Sequence, residues 1–245
     1  MISTDMSGSP GPRATGAHAP AGPALYPISL RLVGRPCLVV GGGDVAGRKV
    51  ASLTAAGGQV CVVAPRLGRL LSAEQAASVA AWEWREREFE DTDVRGNLVV
   101  IAATDDVALN ARVAAAARRE GALVNVVDSP EECDFFVPAV VQRGLFQLAV
   151  STGGSAPGLA GRLRERLETE FPAEWAGAVE ALADARRRVL GLSELEPATR
   201  REALRGLAAL DIQALLDDGG EARVAQAAEA TIDEVVERCT SPRSE

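Results

Sequence analysis

From Tyr26 onward the chain alternates short, wholly apolar runs with longer stretches whose apolar positions recur every three to four residues. Cys37–Val40 (CLVV) reads as a buried strand. Asp44–Ala56 reads as a helix, with Ala46, Val50 and Leu53 on one face and Gly57-Gly58 as its stop. Val60–Ala64 (VCVVA) reads as a second strand, ended by Pro65, and Ser72–Ala80 as a short helix with Ser72 as N-cap and Glu74 in its first turn. The stretch AWEWREREF alternates, which predicts an extended segment with Trp82 and Trp84 on one face. Leu98–Ala103 (LVVIAA) is apolar on both faces, as a central strand must be. DVALNARVAAAARREG predicts an Ala-rich helix stopped at Gly121, and Leu123–Asp128 (LVNVVD) the strand after it. This alternation, with strands too apolar to face water, predicts an α/β fold: a Rossmann-like parallel sheet with helices on both faces.

After Asp128 the pattern changes. VPAVVQRGLFQLAV holds two apolar runs separated by Arg143-Gly144, which predicts an antiparallel hairpin. The loop STGGSAPG leads into a helix, LAGRLRERLETEF. From Pro172 onward the pattern is helical throughout, in EWAGAVEALADARRRVLGL, PATRREALRGLAAL and EARVAQAAEATIDEVVERC. The expected organisation is a flexible tail over residues 1–24, a dinucleotide-binding domain over 25–135, a hairpin-and-helix region over 136–172 and a helical domain over 173–245.

Composition narrows the chemistry. The 245 residues are 47% apolar but only 4% aromatic, so the core is built from Ala, Val and Leu. The net charge of −8 provides no basic field for nucleic acid. Cys37, Cys61, Cys133 and Cys239 form no CxxC pair, which points to reduced thiols rather than a zinc or iron–sulfur site. The one histidine, His18, lies in the tail, so a Ser-His-Asp triad or a histidine-based metal site lacks its central residue. No metal site is expected, and proton chemistry must rest on carboxylates, hydroxyls, lysine or water. The tail has no apolar h-region and no segment approaches the roughly twenty apolar residues of a membrane span, so the expected location is cytoplasmic.

Three loops carry candidate chemistry. Gly41-Gly42-Gly43-Asp44-Val45-Ala46 fits G-x-G-x-x-A between a strand and a helix. Gly41 makes the tight turn, Gly43 lets a pyrophosphate approach the backbone, and the helix N-terminus offers N–H groups and a positive dipole end. The acid expected at the end of the second strand is absent: the chain reads Ala64-Pro65-Arg66. Either the ribose is held otherwise, or Arg66 faces a 2′-phosphate. Thr104-Asp105-Asp106 ends the next strand at the same edge, as cofactor contact, helix cap or both. Asp128 ends a further strand there and is the candidate for proton transfer, with a capping or solvated aspartate as the alternative. In STGGSAPGLAGRLRERL, the hydroxyls of Ser151, Thr152 and Ser155, the N–H groups of Gly153 and Gly154, and the helix arginines Arg162, Arg164 and Arg166 suit a carboxylate-rich ligand; an N-cap loop before a solvated arginine face is the alternative.

In combination, YPISLRLVGRPCLVVGGGDVAGRKVASLTAAGGQVCVVAP, VVIAATDDVALNARVAAAARREGALVNVVDSPEECDFFVPAVV and LAVSTGGSAPGLAGRLRERLE resemble the precorrin-2 dehydrogenase family, which also forms the N-terminal module of siroheme synthase. The resemblance covers about Tyr26 to Pro172. It implies an NAD-dependent oxidation of precorrin-2 to sirohydrochlorin on the way to siroheme, with a second activity in some relatives, the insertion of ferrous iron into sirohydrochlorin. A non-catalytic dinucleotide sensor is the rival from another class. The resemblance implies Asp128 as the catalytic residue, dinucleotide contacts at Gly41, Gly43, Asp44, Val45, Pro65, Arg66, Thr104 and Asp105, and tetrapyrrole contacts at Asn125, Ser151, Thr152, Gly153, Gly154, Ser155 and Arg162. It also implies a homodimer formed through the region over 136–172, which helps hold the tetrapyrrole. Two departures stand out. Thr152 replaces the phosphorylatable serine of the family's SSGG loop, and the region after Pro172 does not resemble the methyltransferase domain of multifunctional siroheme synthases.

Overall fold

The computed structural model describes residues 25–76 and 81–240. The tail expected over 1–24 with His18, the end of the helix expected to reach Ala80, and the side chain of Cys239 lie outside the described residues. Five parallel strands, β1 (Pro36–Val40), β2 (Gln59–Val63), β3 (Trp82–Arg85), β4 (Val99–Ala102) and β5 (Leu123–Val126), form one sheet in the order β3-β2-β1-β4-β5. Val40 pairs with Val63 on one side and Ala102 on the other, so the strands end together at one carboxyl edge.

Both faces of this Rossmann-like sheet are covered, which explains strands with no polar side. Cys37, Val39, Val60, Val62, Val99 and Ile101 pack with Ala46, Val50 and Leu53 of α1 (Asp44–Ala55) and Leu71 of α2 (Arg69–Ala76). Leu38, Val40, Val63, Val100, Ala102, Val124 and Val126 pack on the other face with Val113, Ala114, Ala116 and Ala117 of α3 (Val107–Arg119). Each fully buried Val, Leu or Ile side chain contributes about 1.5–3 kcal/mol relative to exposure. Trp82 and Trp84 share one face, as the alternation predicts, and their indoles donate to Glu74 Oε2 (2.8 Å) and the Ala64 carbonyl (3.0 Å).

The helix expected to start at Ser72 starts earlier. Gly68 O accepts from Ser72 N, closing the first turn, and the Ser72 hydroxyl donates to the Leu67 carbonyl instead of capping. The cause is tertiary: residues 65–68 form a strap over the glycine turn, and Gly68 N donates to Gly42 O at 2.7 Å. That turn has no spare room. Gly41 leaves β1 at φ +119, and a Cβ there would lie 2.3 Å from the Ala103 carbonyl oxygen; one on Gly42 would lie 2.1 Å from that of Arg66. A Cβ on Gly43 would meet nothing within 4 Å.

Beyond β3 the chain is anchored by Asp93, only 6% exposed, in a short 3-10 turn spanning Asp91–Val94. Its carboxylate accepts from Arg87 Nη1 (2.8 Å), Arg85 and the Glu90 N–H. Burial alone disfavours its charge, but the Arg87 hydrogen bonds, the Glu90 N–H and Arg85 outweigh burial and hold the carboxyl below its ordinary range. This fixes the Glu88–Phe89 segment beside the sheet's carboxyl edge.

The hairpin forms as expected from β6 (Ala139–Arg143) and β7 (Phe146–Val150), with Gly144 at φ +56 in its turn. Arg143 Nε donates to the Phe171 carbonyl at the end of α4 (Pro157–Glu170). Phe146, Phe171 and Trp175 cluster at 5.0–5.4 Å between ring centroids, which joins the hairpin to α5 (Trp175–Gly191). With α6 (Pro197–Ala208) and α7 (Ile212–Thr240), α5 buries Ala185, Val189, Ala203, Leu207, Ala228 and Ile232. α7 breaks at Gly219 and Gly220, so helical residues precede the stretch that the sequence pattern marks from Glu221. Among the described residues no helix is long and apolar enough to cross a membrane.

Two stability predictions follow from these contacts. Gly42→Ala is expected to lower stability by about 2 kcal/mol, the scale of overpacking against fixed backbone, while Gly43→Ala leaves the thermal midpoint close to wild type; denaturant unfolding checks both. Asp93→Asn is expected to destabilise by about 1–3 kcal/mol at neutral pH, given half-exposed guanidinium partners. Because folding depresses this carboxyl, its contribution is present above the unfolded carboxylate pKa of about 3.9 and lost as pH falls through the folded value, so the difference from wild type should shrink below about pH 4.

Candidate active site

Two clefts open at the carboxyl edge of the sheet, and the start of α1 borders both. The first, about 460 Å³, lies where the strand order reverses between β1 and β4, the crevice in which open α/β sheets hold ligands. Gly41, Gly43, Pro65, Arg66, Thr104 and Asp105 all line it, so six residues expected from the sequence at a dinucleotide site converge there. α1 begins at Gly43 with no side-chain cap, leaving its first N–H groups open to an anion. Thr104 is held rigidly: its hydroxyl donates to Asn110 Oδ1 (2.7 Å), and Asn110 Nδ2 donates to the Thr104 carbonyl (2.9 Å). The capping role falls to Asp106, which accepts from Ala108 N and Leu109 N. Asp105 is exposed in the cleft.

The other two expected contacts sit elsewhere. Asp44 is exposed and lines neither cleft, and Val45 faces the second one. The helical turn of about 100° per residue carries these side chains away from the glycine cleft while their backbone N–H groups stay near it.

The second cleft, about 710 Å³, is bounded by α1, the end of β5, the segment before β6, and the start of α4. Asn125, Asp128, Ser151, Thr152 and Gly154 line it. Asp128 sits just beyond β5 at φ +60, the one non-glycine residue with positive φ among those described. Asp is one of the few residues that tolerate this region, and holding a side chain there costs of order 1 kcal/mol, as is common at functional sites. Its carboxylate is exposed and makes no hydrogen bond among the described residues, so it caps no helix and stands solvated in the cleft.

Asn125 is 7% exposed, and its amide donates to the Phe135 carbonyl at 2.9 Å and to Cys133 Sγ. Cys133 Sγ also accepts from Val126 N, and burial pushes its thiol pKa up. In the hydroxyl loop, Ser151 Oγ accepts from Gly153 N and Thr152 Oγ1 from Ala156 N, leaving both hydroxyl protons for a ligand. Gly153, Ser155 and Arg162 do not line the cleft. α4 turns Pro157, Ala160 and Gly161 towards it, and Arg162 points to solvent while Arg164 pairs with Glu168. The arginine-helix expectation therefore fails for helical phase, because the inward face is small and apolar.

Residues not singled out in the sequence take part in these walls. Arg48, Lys49 and Ser52 of α1 line the second cleft, and Glu88 and Phe89 line the first. The spacing of Val45, Arg48, Lys49 and Ser52, one helical face flanking the core stripe, was the available signal. Burial pushes the Lys49 ammonium pKa down, Arg48 adds to that, and Cys133 opposes it.

Comparisons with known proteins agree with this fold. A family described as "Putative NAD(P)-binding" matches residues 28–139, and one described as "Sirohaem biosynthesis protein central" matches 143–170. A siroheme synthase of Methylococcus capsulatus is 47% identical over 163 residues, covering 66% of this chain and 34% of its own. Siroheme synthase 1 of Pectobacterium atrosepticum is 43% identical over 175 residues, covering 71% of this chain and 36% of its own. The chain thus spans about a third of the length of these curated relatives. A solved structure, SirC, precorrin-2 dehydrogenase, superposes with a TM-score of 0.67 at 25% identity, covering 84% of this chain and 100% of that one. Two adjacent family matches, the relatives and a solved structure matched over its whole length agree: over residues 28–170 the chain carries an NAD(P)-binding unit followed by a sirohaem-biosynthesis central region, and it is similar to siroheme synthases and to a precorrin-2 dehydrogenase.

Proposed function

We propose that this chain catalyses the NAD-dependent dehydrogenation of precorrin-2 to sirohydrochlorin in siroheme biosynthesis. The observation that carries the reading is the unbonded Asp128 carboxylate, held at φ +60 in a cleft of about 710 Å³ next to the glycine turn. The first cleft fits a dinucleotide: the position a Gly43 Cβ would fill is open, and the α1 N-terminus has no side-chain partner. When bound, NAD supplies the hydride acceptor. Precorrin-2 loses one hydride and one proton on becoming sirohydrochlorin, and Asp128 takes that proton. Backbone N–H groups of the glycine turn hold the pyrophosphate, Thr104 and Asp105 border the cofactor, and the Ser151 and Thr152 hydroxyls orient the tetrapyrrole with Asn125 and Gly154.

NAD is favoured over NADP by charge. Glu88, Asp105 and Asp106 line the first cleft against the single cation Arg66, a poor setting for a 2′-phosphate. We also read residues 25–135 as the dinucleotide unit, 136–172 as the dimerisation and tetrapyrrole-binding region, and 173–245 as a helical domain packed on it. The exposed Val137, Leu145, Leu159 and Leu163 of the middle region support a homodimer through that face.

Purified protein given NAD and precorrin-2 is expected to develop the sirohydrochlorin absorption spectrum, with a lower KM for NAD than for NADP. Cofactor binding without that spectrum would leave a dinucleotide sensor. Asp128→Ala is expected to cut turnover about 100-fold or more, the scale of losing a positioned base, with dinucleotide binding unchanged by NADH fluorescence titration. Normal turnover in this variant removes Asp128 from the proton step.

A further inference from the structure

The Lys49 ammonium is not tied to the fold by any hydrogen bond or ion pair among the described residues. Lys49 lies on α1 beside the core stripe of Ala46, Val50 and Leu53, but its own stripe of Val45, Arg48, Lys49 and Ser52 faces the larger cleft. It is half-buried, and among the described residues its ammonium makes no hydrogen bond and no ion pair. A half-buried cation without a counter-charge loses hydration and gains nothing from the protein in return, so its surroundings leave an anion's place unfilled.

The charge balance of the cleft points the same way. In a chain of net charge −8, this cleft is lined by Arg48 and Lys49 against one acid, Asp128. The arginines of α4 do not line it, so no other cation of the walls is available for a carboxylate. Burial, with Arg48 adding to it, lowers the Lys49 ammonium pKa, consistent with a cation that has no counter-charge beside it.

We propose that Lys49, with Arg48 and Ser52 beside it, is the anchor for a peripheral carboxylate of the tetrapyrrole. The inference rests on the tetrapyrrole reading above and adds the subsite that reads the substrate's acidic rim. Lys49 acts on ground-state and transition-state binding alike, because the carboxylate it holds does not change during hydride or proton loss.

The test uses the full chain, with Lys49→Met, which keeps the apolar stem, Lys49→Gln as a second neutral variant, and Lys49→Arg. Both neutral variants are expected to raise the KM for precorrin-2 and the Kd for sirohydrochlorin, followed by absorbance titration, about 10- to 100-fold, the scale of one charge-assisted contact. kcat and the Kd for NADH should stay near wild type, and Lys49→Arg should recover most of the loss. Wild-type sirohydrochlorin affinity in a neutral variant with a native thermal midpoint overturns the proposal, as does a loss that falls on NADH instead. Wild-type protein that binds sirohydrochlorin but does not oxidise precorrin-2 sinks the dehydrogenase reading alone, and the binding titrations still decide Lys49. Wild-type protein that binds no sirohydrochlorin sinks both.

Discussion

The glycine turn between β1 and α1 is wedged between two carbonyl groups, and the rest of the site depends on that close approach. The Ala103 carbonyl presses on Gly41 from β4 and the Arg66 carbonyl on Gly42 from the strap after β2. These contacts put the end of β4, the strap and the start of α1 around one point at the carboxyl edge. The strap in turn sets where α2 begins, since Gly68 both donates to Gly42 and accepts the first bond of that helix. Gly43 alone is free of the protein, and its missing side chain leaves room for a ligand rather than for neighbouring backbone. Of three consecutive glycines, two are required by packing and the third, Gly43, is not.

α1 then divides the labour between the clefts. Its N-terminus faces the glycine cleft, one stripe seals the sheet, and another carries Arg48, Lys49 and Ser52 into the larger cleft. On the proposed function, a dinucleotide and an acidic macrocycle are both served by this one helix, with Asp128 at the adjacent strand end. The anchored Asp93 turn plays the same part on the far side, holding Glu88 and Phe89 against the glycine cleft. Fixed elements at both ends fit the proposed reaction, which must align two ligands for hydride transfer.

The electrostatics are local. An acidic chain presents an acidic cleft at the glycine turn beside a second cleft lined by Arg48 and Lys49, and on the proposed function this contrast suits a cofactor without a 2′-phosphate and a substrate rich in carboxylates. The hydroxyl loop contributes donors rather than charge, because Ser151 and Thr152 spend their oxygen acceptors on the loop's own N–H groups.

The parallel sheet, its strands, the glycine turn and the position of Asp128 were legible in the sequence, because apolar runs, helical periodicity and glycine spacing are local signals. The indole partners, the early start of α2 and the buried Asn110 that locks Thr104 were not, because each depends on a partner brought in by the fold. The arginines after the hydroxyl loop show the difference best. Sequence proximity put Arg162 at the ligand, yet the phase of α4 turns it to solvent, while Lys49, about a hundred residues earlier, faces the same cleft. By itself the sequence determined which elements form and which loops carry chemistry, since these follow from patterns within a few residues. Only the tertiary structure decided which cations meet the substrate cleft, since that depends on how helices from distant parts of the chain are rotated against one sheet edge.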